Sequence, residues 1–86
     1  MLFHEARKIV LEFIKDNFDI DGKIVKLFNK DEKWIAHFEV IEEAEYMRKF
    51  GQTDIVGLYE VELDSVGEIL GYKRVYTRER SDLDPA

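Results

Sequence analysis

Ile55-Val56-Gly57-Leu58-Tyr59-Glu60-Val61-Glu62-Leu63-Asp64-Ser65-Val66-Gly67-Glu68-Ile69-Leu70-Gly71-Tyr72 is the stretch that decides the fold. Its first half alternates: Tyr59, Val61 and Leu63 point one way, Leu58, Glu60 and Glu62 the other. That period of two belongs to a strand with one dry face. Asp64-Ser65-Val66-Gly67 interrupts it with turn residues, and Gly67 is free to take a positive φ. A second run rich in Tyr and Val then follows from Ile69 to Arg78. The reading is a β-hairpin with strands at 55–63 and 69–78.

Upstream, Lys33 to about Ala44 repeats the alternation, with Trp34, Ala36, Phe38 and Val40 on one face and Ile35, His37, Glu39 and Ile41 on the other. Before it, Lys23 to Phe28 reads as a shorter strand, joined through a polar loop at Asn29-Lys30-Asp31-Glu32. The first segment has a different period. Phe3, Ala6, Val10, Phe13, Ile14 and Asn17 step by three and four, as an amphipathic helix requires. Asp16-Asn17-Phe18-Asp19 and then Asp21-Gly22 should stop that helix near Asn17. Residues 42–53 are ambiguous, helical in composition at first and loop-like at Gly51-Gln52-Thr53. The expected architecture is α+β, an N-terminal helix packed on a four-stranded antiparallel meander. One domain should span residues 1–80, with 81–86 a frayed tail.

Composition narrows the function. The 86 residues are 45 % hydrophobic and include 6 Phe, 4 Tyr and 1 Trp, enough for one core without staples. The absence of cysteine excludes disulfides and thiolate metal sites and fits a reducing compartment. Neither a signal-peptide pattern nor a membrane-spanning run is present, so a cytoplasmic location without membrane insertion is expected. A net charge of −6 disfavours nucleic acid and anionic lipid as partners. The basic cluster Lys73, Arg74, Arg78 and Arg80 is offset by Glu79, Asp82 and Asp84.

Catalytic and metal chemistry find few candidates. Ser65 and Ser81 lie in a turn and the tail, and His4 and His37 have no metal-pair spacing. Glu42, Glu43 and Glu45, like Glu60 and Glu62, read as solvated charge rather than an acid–base pair. Asn17, Asp19, Asp21 and Gly22 match the first half of a calcium loop. Phe28 then stands where the closing bidentate Glu is needed, so the match fails. No catalytic residue, metal or cofactor is therefore expected. What remains is binding: one helix covers one face of a four-stranded sheet and leaves a second, mixed face and two edges for contacts. Trp34, Tyr59, Tyr72, Arg74 and Tyr76 are the candidate partner-binding residues, because aromatics and Arg dominate interface energetics. A second copy of the chain could use the same sheet face or an edge strand.

From Trp34 to about Arg78 the chain resembles the gas vesicle protein O family. The likeness rests on Trp34 and the run from His37 to Glu42, on Thr53 to Asp64, and on Gly67 to Arg74, in that order and spacing. The resemblance implies an accessory protein of gas vesicle formation that acts on other gas vesicle proteins in the cytoplasm, or associated with the vesicle, without known catalysis. The helix-then-meander order is also similar to PepSY-type domains, which would imply a peptide-binding or regulatory module instead.

Overall fold

A computed structural model describes residues 1–18, 22–42 and 55–79. It contains α1 (Phe3–Phe18), β1 (Lys23–Lys30), β2 (Lys33–Glu42), β3 (Ile55–Leu63) and β4 (Ile69–Glu79). The strands form one antiparallel sheet in the order β1-β2-β3-β4, the expected meander. Asp19 and Asp21 of the partial calcium loop, the ambiguous stretch after Glu42 and the tail lie outside the described residues.

The helix starts where its backbone is satisfied. The Leu2 carbonyl accepts the N–H groups of Glu5 and Ala6 at 3.1 Å, and the Glu5 carboxylate accepts the Leu2 N–H at 2.7 Å. That return bond is half of a capping box, and it puts a negative charge at the positive end of the helix. At the other end the Asn17 side-chain amide donates to the Phe13 carbonyl at 2.9 Å. The stripe Ala6, Val10 and Ile14 is buried, with Ile9, Phe13 and Phe18 packed beside it.

The facing layer is the alternate set read from the sequence. Trp34, Ala36, Phe38 and Val40 from β2 and Tyr59, Val61 and Leu63 from β3 complete the core. Their register explains the common face: Trp34 lies opposite Leu63, Ala36 opposite Val61 and Phe38 opposite Tyr59. Phe38 and Tyr59 stack at 5.5 Å between ring centres, and Phe18 meets both rings edge-on at 5.6 and 4.9 Å. No described polar side chain is buried.

Gly22 lets the helix approach the sheet closely. A Cβ there would stand 2.7 Å from Ile14 Cγ2 and 2.9 Å from Val40 Cγ1. The β3–β4 turn is held by Asp64, whose Oδ1 accepts the N–H groups of Val66 and Glu68 at 3.0 and 2.9 Å. Gly67 takes φ +95°, as its place in the turn predicts.

The sequence expectation for the first hairpin is corrected. The β1–β2 connection is a two-residue turn, Asp31-Glu32, with φ of 53° and 65°, and β1 runs on to Lys30 instead of ending at Phe28. Asn29 and Lys30 are polar but pair with Trp34 and Lys33. The sheet has register irregularities between Ile24 and Lys26 on β1 and at two places along β3–β4. The β4 shifts redistribute its side chains. Ile69 and Tyr72 share the helix-side face, opposite Leu63 and Val61, while Tyr76 lies opposite Leu58 on the other. Tyr72 and Tyr76 therefore face opposite sides although four residues apart, because each shift turns the following residues over.

Candidate functional site

α1 packs over β1 and β2, and among the described residues no helix covers the far side of the sheet. β4 is the strand most affected. Among the described residues it has no strand beyond it, and its outward N–H and C=O groups form an edge of the described sheet. Leu70, Tyr72, Val75 and Tyr76 are 47–53 % exposed, and Lys73 and Arg74 are exposed between them. Only Ile69, at the start of the strand, joins the core.

The five residues selected from the sequence separate into three groups. Trp34 and Tyr59 are buried: Trp34 packs under Phe3 at 6.1 Å and Tyr59 stacks on Phe38. Tyr72 and Arg74 are together on the helix-side face of β4, opposite Val61 and Tyr59. The Tyr72 ring meets Phe13 edge-on at 5.2 Å and leans toward Phe18 at 6.2 Å, so one edge is anchored while the rest faces solvent. Tyr76 is exposed on the opposite face. Leu70, Lys73 and Val75 join this surface without having been selected. Their signal was available in the chain order, since the last strand of a meander is an edge whatever its sequence.

The face away from the helix carries an ordered charge pattern. Lys26, His37, Glu60 and Lys73 form one row across all four strands. His37 Nε2 is 2.9 Å from Glu60 Oε1, and Lys73 Nζ is 3.9 Å from Glu60 Oε2. In the next row Lys33 Nζ is 3.4 Å from Glu62 Oε2, and Lys26 Nζ lies 5.1 Å from the Phe28 ring centre. Their side chains are 26–72 % exposed, and pairs this exposed contribute about 0–1 kcal/mol each. Glu60 is shared between an imidazole and an ammonium, an arrangement that fixes strand register rather than poising an acid or base. Val56 and Leu58 are buried on this same side of the sheet, so the face is mixed, as expected from the sequence.

Among the described residues no cluster of three or more His, Cys, Asp or Glu side chains could hold a metal ion. No described helix is long and apolar enough to cross a membrane.

The family described as gas vesicle synthesis protein GvpO matches residues 2–84, nearly the whole chain. Neither a curated protein nor a solved structure matches it.

Proposed function

This chain belongs to the gas vesicle synthesis protein GvpO family, and on that basis we propose that it serves vesicle synthesis as a non-catalytic accessory that holds other gas vesicle proteins. The observation that carries the binding role is β4. It is an 11-residue edge strand whose apolar side chains Leu70, Tyr72, Val75 and Tyr76 stand in solvent. Long exposed edges with apolar side chains tend to pair with another chain. A partner strand laid along β4 would gain main-chain hydrogen bonds from the edge and side-chain contacts on both faces.

Lys73 and Arg74 give this edge a positive centre on a chain of net charge −6. They favour partners with acidic groups and oppose a parallel stack of identical β4 edges. The non-catalytic reading is supported by the inventory: no cysteine, and Ser65 exposed in a turn. A cytoplasmic setting, with association to the growing vesicle, follows from the same reading.

The test is affinity purification of the tagged chain from its native host, comparing the unmodified protein with a Leu70→Ser/Tyr76→Ser variant. The expected result is gas vesicle proteins enriched by the former and lost by the latter, with unchanged circular dichroism. If those proteins are expressed but never co-purify, the accessory role fails. If both forms retain them equally, the β4 edge is not the contact surface. A shift to dimer in the unmodified protein alone would identify a second copy as a partner of this edge.

A further inference from the structure

The two tight turns and the start of α1 meet at one end of the sheet. Trp34, near the start of β2, pairs with Leu63 at the end of β3, which sets the turns at Asp31-Glu32 and Asp64–Glu68 side by side. Phe3 packs on Trp34 at 6.1 Å. A Cβ on Gly67 would stand 3.2 Å from Met1 Sδ, so the second turn touches the residues that lead into the helix. Met1, Leu2, Phe3 and Val66 are left open here, 37–80 % exposed. They come from two distant stretches of the chain, and none belongs to β4.

The charge of this end is opposite to that of the β4 edge. Glu5, Asp31, Glu32, Asp64 and Glu68 bring carboxylates to it. Lys30, Lys33 and the amino group of Met1 stand against them, and Lys33 is already held by Glu62 at 3.4 Å. Asp31, Glu32 and Glu68 are exposed, and among the described residues none of the three has a cationic partner within 4 Å.

We propose that this end docks an apolar segment of a partner polypeptide that carries lysine or arginine. Its apolar side chains would settle among Leu2, Phe3 and Val66, and its cations would meet Asp31, Glu32 and Glu68. Charge selects this occupant. An acidic segment, an anionic lipid surface and the same end of a second copy would each bring like charges together. The β4 edge, centred on Lys73 and Arg74, favours the opposite kind of partner, so the chain has two surfaces for two dissimilar segments.

The probe is a short fluorescent peptide of alternating Leu and Lys, titrated against the full chain by anisotropy. It should bind, and binding should weaken as salt rises and the Debye length shortens. Asp31 and Glu32 both take left-handed φ, where Asn and Gly are favoured. Asp31→Asn/Glu32→Gly should therefore raise the thermal midpoint while weakening the peptide about fivefold or more. Lost binding in a more stable variant is not lost fold. Leu2→Ser/Val66→Ser, at exposed positions, should weaken it by a similar factor and carries the test if the turn variant loses stability. Glu12→Gln/Asp16→Asn removes the same charge from the exposed side of α1 and should leave binding unchanged. The proposal is overturned if the peptide does not bind, if a Leu–Glu peptide binds equally well, or if neither the turn nor the Leu2/Val66 variant weakens it. An equal loss in the Glu12/Asp16 variant would also overturn it, by reducing the effect to net charge. Capture of phosphatidylserine vesicles, or self-association abolished by the same substitutions, would overturn it by assigning this end to a lipid surface or a second copy. None of these failures bears on β4, whose test uses different variants.

Discussion

β2 and β4 are nearly equal in length, 10 and 11 residues, and both mix aromatic, β-branched and charged side chains. In β2 every second residue from Trp34 to Val40 is buried. In β4 every described side chain from Leu70 to Thr77 is exposed, although two, Leu70 and Val75, are aliphatic and two are tyrosines. The difference arises from position. β2 is paired on both sides and lies beneath the helix, whereas β4 has one strand neighbour among the described residues and meets the helix at Tyr72, against Phe13 and Phe18. Composition sets what a strand can bury, and its place in the sheet sets what it does bury. The strand that contributes least to the core is therefore the one with the most surface to offer a partner.

The sharpest way to break this comparison is to truncate one aromatic in each strand. Phe38→Ala removes a ring that is fully buried between Phe13, Phe18 and Tyr59 and should cost about 3–5 kcal/mol in urea unfolding. A loss below about 1 kcal/mol would mean that the β2 face repacks and that the contrast is overstated. Gly67→Ala tests the hairpin that presents β4. Its φ of +95° and a Cβ 2.6 Å from Ile9 Cδ1 should together cost about 1–3 kcal/mol by the same assay. Tyr72→Ala lies between the two regimes, because its ring touches Phe13 and Phe18 at one edge; a loss of about 0.5–1.5 kcal/mol is expected. Tyr76→Ala, on the far side of the same strand, should change stability by no more than about 0.5 kcal/mol while reducing partner capture. If Tyr76→Ala destabilises as much as Phe38→Ala, β4 belongs to the core and the proposed contact surface is wrong.

How far the sequence could be read follows the same division. β2, and β3 from Tyr59 to Leu63, were legible residue by residue, because there buried and partly exposed residues alternate along the strand. β4 was legible as a strand but not in its facing. Its register shifts have no signature in Leu70-Gly71-Tyr72 or Arg74-Val75-Tyr76, since a bulge is decided by how two strands fit together. The turn at Asp31-Glu32 was hidden for a related reason. Two-residue hairpins usually advertise themselves with Asn-Gly or Asp-Gly, and here two acidic residues take the left-handed region instead.

The candidate site was half visible. Tyr72, Arg74 and Tyr76 were found from residue type, and they are exposed on β4. Trp34 and Tyr59 were selected by the same rule, but both serve the core. An aromatic that fits an interface fits an interior equally well, so residue type alone cannot separate the two.

The meander order has a consequence for the time course of folding. Each strand pairs only with its neighbours along the chain, and two of the three pairings close across a short turn, at Asp31-Glu32 and at Asp64–Glu68. Such hairpins form in about 1–10 μs. The remaining pairing, β2 with β3, must bring together segments separated by residues 43–54. Two hairpins can thus form early and independently, and their docking at the Phe38–Tyr59 stack becomes the slow step. Substitutions in that stack should slow folding itself, whereas those along β4 should act on the rate of unfolding.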